Sequence, residues 1–367
     1  MNGWNKGILG DFITLQRGFD LPEYDRHSGS VPVVTSSGIS GFHNEAKAKA
    51  PGVAMGRYGT IGAIYFLKED FWPHNTTLYV KDFKGNDPQF VSYFLRTLNY
   101  QAHNDKSSVP GLNRNDLHSI PVIFPSISEQ RFIANILGAL DDKIELNRRM
   151  NVALESMARA VFREMMNNES KGWKTGSILE FANLLSGGTP RTSEESYWNG
   201  NIKWVSAKDV GNANGAFLLD TEKKITQLGV DNSSTKLLSE KTTIVTARGT
   251  VGAYCMLGKA MTMNQTNYGL KAKAGIGDFF VYFSLSEMVE QLKQQSYGTI
   301  FDTITTKTFQ SAQCVQPPVD VIHKFDDQVR PLMDAILNNQ KESRTLASLR
   351  DALLPKLMRG EVRKDME

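Results

Sequence analysis

An internal repeat constrains the fold of this chain more than any other feature of its sequence. The stretch RYGTIGAIYF at Arg57–Phe66 returns as ARGTVGAYCM at Ala247–Met256, with the glycines of the two copies 190 positions apart. Upstream, GWNKGILGDFITLQRG at Gly3–Gly18 matches GWKTGSILEFANLLSG at Gly172–Gly187 at a spacing of 169. The second copy therefore carries 190 − 169 = 21 additional residues between the two matches. A repeat of this length means that one structural unit is built twice, so we predict two similar domains.

The match at a spacing of 190 continues beyond the opening phrase. Asn75-Thr76 corresponds to Gln265-Thr266, and FVSYFL from Phe90 corresponds to FVYFSL from Phe280. Short β-rich runs precede a helical pattern in both copies, which predicts a mixed α+β domain each time. The 21-residue insertion falls where the copies differ most, so we expect the two domains to differ in what they bind.

Composition supports two cores and excludes several classes of protein. The chain has 367 residues, 40% of them apolar, and a net charge of +3. This length and apolar content suit two domains, and the balanced charge means that any nucleic-acid surface must be local. Cys255 and Cys314 lack zinc-ligand or disulfide-framework spacing, so we expect them to pack in cores. No signal-peptide pattern or long apolar run occurs, so we expect a soluble cytoplasmic protein.

Each copy of the repeat ends in a long amphipathic helix pattern. Ser126 and Glu129 have capping-box spacing directly after Pro125, which predicts a helix start. From there a heptad pattern runs for about 40 residues, equivalent to a helix of roughly 60 Å. The same pattern recurs 192 positions later. The first seam is Ile133, Leu137, Leu140, Ile144, Asn147, Asn151, Leu154, Ala158, Val161 and Met165, and the second is Phe325, Val329, Leu332, Ile336, Asn339, Ser343, Leu346, Arg350, Leu353 and Leu357.

Polar residues occupy the middle of both seams. A single helix of this kind is most simply a core helix of its own domain, but two in register, both polar at the centre, favour pairing with each other. We therefore predict an antiparallel coiled coil, with Asn147 opposite Ser343 and Asn339 opposite Asn151.

The second helix departs from the pattern at three positions. Arg350 does not fit an apolar seam, and Leu349 beside it is a candidate substitute. Pro331 and Pro355 are expected to bend or interrupt the helix.

The predicted fold class is α+β, with two pseudo-symmetric globular α+β domains separated by two long helices that form an antiparallel coiled coil. The predicted boundaries are 1–125 for the first domain, 126–167 for the central spacer helix, 168–320 for the second domain and 321–367 for the C-terminal spacer helix. Two similar heads held at a fixed separation suit a long regular polymer with features at a set spacing, and duplex DNA is the obvious candidate.

Several stretches in a fixed order carry a resemblance to a known family. They are the duplicated GTIGA/GTVGA phrase, IPVIFPSISEQRFIANIL before the first helix, LDDKIELNRRMN in its middle and LRDALLPKLMRGEV near the end. Together with the repeat they resemble the specificity subunit of Type I restriction-modification systems, over essentially the whole chain.

The resemblance implies a division of labour among subunits. Two target recognition domains would each read one half of a bipartite double-stranded DNA sequence. The helices would act as spacer and as docking surface for two methyltransferase subunits, and restriction subunits would join that core. S-adenosylmethionine and ATP would be bound by those partners, so this chain would bind no cofactor and would not be an enzyme.

Polar and cationic residues on loops are the candidates for contact with DNA. Each is also compatible with a plain solvated surface. In the repeated phrase, the glycines could let backbone N–H groups approach phosphate, or could simply form a strand-to-strand turn with positive φ, and the turn is slightly favoured. The candidates are Arg17, Arg57, Tyr58, Lys106, Ser107 and Arg114 in the first domain, and Arg191, Lys208, Arg248, Tyr297 and Thr299 in the second.

Catalytic motifs are not found in the sequence. The string QPPV at Gln316–Val319 lacks the residues of an amino-methyltransferase loop and is expected to be a connector, and GAYCMLGKA at Gly252–Ala260 has the wrong spacing for a P-loop. Glu45-x-Lys47 and Glu222-x-Lys224 could suggest a nuclease, but such triplets are common and these lie at non-equivalent places in the repeat. A purely structural coiled-coil linker remains an alternative to a DNA reader.

Overall fold

The computed structural model describes residues 4–100, 111–168, 172–295 and 303–363. The chain divides into two units. One unit holds the residues up to Lys143 together with those from Leu346 onward, and the other holds Ile144–Thr345. Each unit thus combines one copy of the repeat with part of both long helices.

The first copy of the repeat folds as small sheets with short helices. Strands β2, β8, β5 and β6 form an antiparallel sheet in that order, β3 lies between β4 and β7, and β1 pairs with β9. The elements are β1 (Asn5–Ile8), α1 (Leu9–Phe12), β2 (Thr14–Arg17), a 3₁₀ turn (Glu23–Asp25), β3 (Val31–Thr35), β4 (Gly38–His43), β5 (Gly52–Gly56), β6 (Ile64–Leu67), β7 (Trp72–Pro73), β8 (Thr77–Asp82), α2 (Pro88–Arg96), α3 (Arg114–His118) and β9 (Pro121–Phe124), followed by the long helix α4 (Ile127–Asn168).

The second copy repeats this topology and extends it. Strands β11, β18, β15 and β16 correspond to β2, β8, β5 and β6, and β13 from the insertion adds to the edge of β16. The elements are β10 (Lys174–Ser177), β11 (Ala182–Ser186), β12 (Trp198–Val205), α5 (Ala207–Gly211), β13 (Phe217–Leu218), β14 (Lys223–Ile225), α6 (Gln227–Asp231), β15 (Thr243–Thr246), β16 (Tyr254–Leu257), β17 (Thr262–Met263), β18 (Asn267–Ala272), α7 (Asp278–Gln295), α8 (Thr306–Ser311), β19 (Gln313–Gln316) and the long helix α9 (Val319–Met358), with 3₁₀ turns at Ile178–Glu180 and Glu195–Tyr197. The predicted duplication of an α+β domain is confirmed.

The two long helices run antiparallel within each unit. In the first unit, Ile133 and Leu137 of α4 share a core with Leu357 of α9. In the second, the rings of Phe162 and Phe325 pack edge to face with centroids 5.4 Å apart. Phe162, next to the seam residue Val161, is almost fully buried because α4 contacts α7 as well as α9. A core of stacked and edge-to-face aromatic rings therefore joins α4 to both helices.

A polar layer lies between α4 and α9 in the second unit, at the predicted positions. Asn147 is fully buried, and its Nδ2 donates to Ser343 Oγ at 3.2 Å and to Glu342 Oε2 at 2.7 Å. Asn339 Nδ2 donates to Asn151 Oδ1 at 2.9 Å. The predicted pairing of these four residues is confirmed. Asn147 Oδ1 is buried and accepts no hydrogen bond from the described protein atoms, so this layer costs stability while fixing the register.

Both seams face inward along their length. Among the seam residues, Ile133, Leu137, Asn147, Phe325 and Ile336 are buried, and Leu140, Ile144, Leu154, Val161, Leu332, Asn339, Leu346 and Leu353 are half-buried.

One expectation for the second helix was wrong, and of the two effects expected at its prolines, an interruption does not occur while a bend stays a prediction. Leu349 does not replace Arg350, because Leu349 is exposed and Arg350 is half-buried with Nη1 at 2.6 Å from Asp141 Oδ1. The acidic partner on α4 makes the arginine acceptable in the seam. Neither Pro331 nor Pro355 interrupts α9, which is continuous through both. Both prolines are exposed, so the carbonyls that lose a hydrogen bond there lie near solvent.

The equivalent helices α2 and α7 receive their N-terminal caps differently. In the first domain, the Phe90 N–H donates to Asp87 Oδ1 at 2.9 Å, and the Asp87 N–H donates to Gln130 Oε1 of α4 at 2.9 Å. In the second, the position of Asp87 is taken by Gly277, and the Phe280 N–H donates to Asp326 Oδ1 of α9 at 2.9 Å. A Cβ at Gly277 would lie 2.0 Å from Asp326 Cγ. The capping carboxylate has therefore moved from the domain to the long helix.

Candidate nucleic-acid interface

The repeated phrase forms the same turn in both domains. It joins β5 to β6 in the first domain and β15 to β16 in the second. Gly59 and Gly249 have φ of +68° and +83°, and Gly62 and Gly252 have φ of +77° and +76°. Residues other than glycine rarely adopt these φ values. The interpretation as a strand-to-strand turn with positive φ is confirmed, and an approach of its N–H groups to phosphate stays a prediction.

Three segments meet at this turn in the first domain. The Phe19 N–H donates to Pro73 O at 2.8 Å, which holds the chain after β2 beside the end of β7. The Arg57 N–H donates to Thr76 O at 2.9 Å, which adds the β5–β6 turn. We call this group of residues, Arg17–Asp20, Arg57–Ala63 and His74–Thr76, the first corner.

The second domain builds the same arrangement. The Gly188 N–H donates to Met263 O at 3.0 Å, and the Ala247 N–H donates to Thr266 O at 2.8 Å. We call Ser186–Thr189, Ala247–Ala253 and Asn264–Thr266 the second corner. The backbone of the corner is thus reproduced although the side chains differ.

The first corner brings together three of the predicted residues. Arg17 is exposed at the end of β2. Arg57 is half-buried: its Nε donates to Leu112 O at 3.1 Å, and its guanidinium lies 4.5 Å from the centre of the Tyr58 ring. Arg57 therefore anchors the chain around Leu112 as well as carrying a charge. Arg114 is exposed at the start of α3, two residues beyond Leu112.

The second corner contains Arg248, which is exposed. Arg248 is not equivalent to Arg57. The backbone of Ala247 makes the hydrogen bonds that Arg57 makes, so Arg248 corresponds to Tyr58. Lys208 is exposed on α5, and its Nζ lies 2.8 Å from Glu222 Oε2, an ion pair that raises the pKa of Lys208. Arg191 is exposed before β12.

Four predicted residues, Lys106, Ser107, Tyr297 and Thr299, lie outside the described residues. The described residues that flank them contact the corners. A Cβ at Gly62 would lie 2.5 Å from the Tyr100 ring, and a Cβ at Gly111 would lie 2.3 Å from the Tyr58 ring. In the second domain, Thr303 Oγ1 donates to Ala247 O at 3.0 Å.

Two amides in the corners, the half-buried Asn75 and the exposed Gln265, were missed by the sequence analysis. Asn75 Nδ2 donates to Asp20 Oδ1 in the first corner, and Thr189 Oγ1 donates to Gln265 Oε1 in the second. The spacing of 190 already aligned Asn75 with Gln265, but neither residue was among the candidates. The contact itself could not be foreseen, because it joins segments 55 and 76 residues apart.

Comparison with known proteins identifies the family to which these two domains belong. The family described as "Type I restriction modification DNA specificity domain" matches residues 1–156 and again 170–340. The chain belongs to this family.

Individual relatives carry the same description. The chain is 26% identical over 279 residues to the Type I restriction enzyme MjaIX specificity subunit of Methanocaldococcus jannaschii. The match covers 70% of this chain and 64% of that relative, which is less than two thirds of the relative's length. It is 22% identical over 337 residues to the HindI specificity subunit of Haemophilus influenzae, covering 71% and 73%. The crystal structure of a Type-I restriction-modification S subunit from M. genitalium superposes with a TM-score of 0.65 at 16% identity, covering 100% of this chain and 97% of that one. This similarity shows a shared fold.

The two cysteines are both shielded from solvent, to different degrees. Cys255 is fully buried, as predicted, and burial raises the pKa of its thiol to about 12. Burial likewise raises the pKa of the half-buried Cys314 thiol to about 11. Among the described residues, no cluster of three or more His, Cys, Asp or Glu side chains could hold a metal ion. The QPPV string joins β19 to α9 as the predicted connector.

The helices were also compared with the requirements of a membrane span. Within the described ranges, none combines the length and the apolar content that crossing a bilayer requires.

Proposed function

We propose that this chain is the DNA-recognition subunit of a Type I restriction-modification complex, in which each domain reads one half of a bipartite target. The observation that carries the proposal is the duplicated corner, built on the same backbone hydrogen bonds in both domains. Membership of the specificity family, with both halves of the chain matched, supports it.

The corner offers the chemistry that recognition of duplex DNA requires. The N–H groups of Gly62 and Gly252 donate inside their own turns, at 2.9 Å and 3.0 Å. Phosphate would therefore be bound mainly through the positive charge that Arg17, Arg57 and Arg248 supply at the corners. Polar side chains of the same segments would contact base edges. The side chains near each corner differ between the domains, so the two half-sites are expected to differ in sequence.

The remaining assignments follow from the family. We assign residues 1–125 and 168–320 to target recognition, and residues 126–167 and 321–367 to a spacer that also docks two methyltransferase subunits. Restriction subunits would join through that core. S-adenosylmethionine and ATP would be bound by those partners, the chain itself would be non-catalytic, and the complex would work in the cytoplasm.

Methylation mapping tests this function directly. The chain would be co-expressed with its methyltransferase partner in a host without other adenine methylation, and methylated adenines in the host genome would be mapped. We expect one bipartite motif with a gap of fixed length. The purified chain alone should transfer no methyl group to DNA. Methyl transfer without the partner would contradict the non-catalytic assignment.

A structural linker is the competing function, and a gel shift separates the two. A DNA reader should retard random duplex DNA in a salt-dependent manner, because phosphate contacts release counterions. If the assembled complex shows no salt-dependent binding, the linker interpretation is correct.

A further inference from the structure

A side-chain amide, half-buried in the first corner and exposed in the second, recurs at the same place in both corners. Asn75 and Gln265 are 190 positions apart, and their partners Asp20 and Thr189 are 169 apart, each lying two residues beyond the repeated glycines Gly18 and Gly187. Two segments with different spacings therefore converge on the same side-chain contact in each domain. The residue types have changed between the copies, but the contact has been kept.

The backbone around this contact is tightly built. A Cβ at Gly18 would lie 2.1 Å from His74 O, and a Cβ at Gly187 would lie 2.1 Å from Asn264 O. Only glycine allows the chain to lie this close to the neighbouring turn. Asp20 and Thr189 are thereby placed beside the amides by a backbone contact that both domains share.

The neighbouring threonines are used inside the turn. Thr76 Oγ1 accepts from the Ser36 N–H at 3.3 Å, and Thr266 Oγ1 donates to Asn264 Oδ1 at 2.8 Å. Among the described residues, Asn75 and Gln265 instead bond with a partner side chain across the corner, the exposed Asp20 and the half-buried Thr189. The amide is therefore the side chain of each turn that is available to a ligand.

Resting on the proposed function, we propose that Asn75 and Gln265 each read one base in the half-site of their own domain, with Asp20 and Thr189 as positioning residues. A carboxylate accepts hydrogen bonds but cannot donate them, so Asp20 must face the Nδ2 of Asn75. The carbonyl oxygen and one N–H of Asn75 have no hydrogen-bond partner among the described residues. This acceptor and donor match the N6–H and N7 of adenine in the major groove.

The second domain differs in one respect. A hydroxyl can donate or accept, so Thr189 can bond with either end of the Gln265 amide. For Asn75 the orientation of the amide is defined, so the inference names the base, adenine. For Gln265 the orientation is open, so the inference says only that it reads one base pair of the second half-site. This difference between Asp20 and Thr189 gives the two corners different selectivity on one backbone.

Methylation mapping with the assembled methyltransferase tests the assignment. Asn75→Ala should relax the requirement for one adenine-containing base pair of the first half-site, with a loss of discrimination of about 5- to 150-fold there. Gln265→Ala should relax one position of the second half-site. In both cases the other half-site should stay unchanged. Thr76→Ser and Thr266→Ser keep the inward hydroxyl and serve as controls that should leave the motif intact.

The positioning role has a separate signature. Asp20→Asn is close to isosteric, so it preserves the fold while allowing the Asn75 amide to turn over. It should relax the same base pair as Asn75→Ala, and the double variant should relax it no further than Asn75→Ala alone. A purely structural role for Asp20 would instead lower thermal stability without changing the motif.

Two outcomes would overturn the inference while leaving the proposed function intact. One is an unchanged motif in both alanine variants. The other is equal weakening on cognate and random DNA with a shallower salt slope, which would identify the amides as phosphate contacts. A wild-type complex that methylates no bipartite motif would instead refute the proposed function, and this inference with it.

Discussion

The buried carboxyl of Asp326 should make the stability of the second unit depend on pH. Only 4% of this residue is exposed, and burial raises its pKa to about 6 from the usual 3.8. The backbone N–H of Phe280 and the nearby Arg330 act in the opposite direction and recover part of the cost. Folding therefore favours the protonated carboxyl, which is uncharged like the side-chain amide of asparagine.

The size of the effect follows from the two pKa values. A difference of about 2 units corresponds to about 3 kcal/mol of unfolding free energy. Because the pKa is raised in the folded state, this contribution is fully present below about pH 4 and is lost as the pH rises through about 6. Asp326→Asn keeps the oxygen that accepts from Phe280 and removes the charge. We expect it to stabilise the unit by up to about 3 kcal/mol at pH 8 and by little at pH 4.

Calorimetric unfolding of the full chain between pH 5 and pH 8 measures this effect as the difference between variant and wild type. Groups that the substitution leaves unchanged contribute equally to both proteins and cancel in that difference. Asp327→Asn is the matched control, because its side chain is 79% exposed and its replacement should change the unfolding free energy little. If Asp326→Asn and wild type change in parallel with pH, or if the variant is less stable at pH 8, the cost assigned to the buried charge is wrong.

Three further predictions concern DNA binding and the polar layer. Arg248→Ala should weaken DNA binding by the assembled methyltransferase by about 1.5–3 kcal/mol on cognate and random DNA alike, and titration at several salt concentrations should show a salt slope shallower by about one unit. Arg57→Ala should have the same effects and should also lower thermal stability, because it removes the hydrogen bond to Leu112 O. Unchanged affinity in both variants would mean that the corner is only a turn. Inserting one heptad after Asn151 and after Ser343 should lengthen the methylation gap by about three base pairs, since seven helical residues add roughly 10 Å; a gap of unchanged length would mean that the helices do not set it. Asn147→Leu should increase the hydrogen-exchange protection of the surrounding helix. It removes a buried oxygen without a partner among the described protein atoms and buries apolar surface instead. The control Asn338→Leu, at an exposed position, should change the protection little.

The helical part of the fold could be predicted from the sequence because periodicity is a local signal. The spacing of 192 between the two seams fixed the register well enough to place Asn147 opposite Ser343. Arg350 was misjudged because its acceptability depends on Asp141, which is 209 positions away and follows no periodic rule. The periodicity of one segment does not indicate which distant residue will form an ion pair with it.

The corners were only partly predictable. The glycines indicated a turn, because few other residues adopt positive φ. The spacing of 190 aligns Arg57 with Ala247, and the matching backbone hydrogen bonds of the two residues confirm that alignment. The parallel pairing of β3 with β7 and of β12 with β17 joins segments far apart in the chain and has no local signature.

Hydrogen bonds from the N-terminal ends of α2 and α7 to side chains of the long helices limit how recognition domains can be exchanged between relatives. A recombination event that transplants the second domain with a junction before Asp326 would deliver α7 with Gly277 at its start and no carboxylate to receive the Phe280 N–H. A junction before Gln130 would similarly strip Asp87 of the side chain that accepts its N–H. The heritable cassette for a new target specificity therefore extends beyond each globular domain, into the first turns of the helix that follows it.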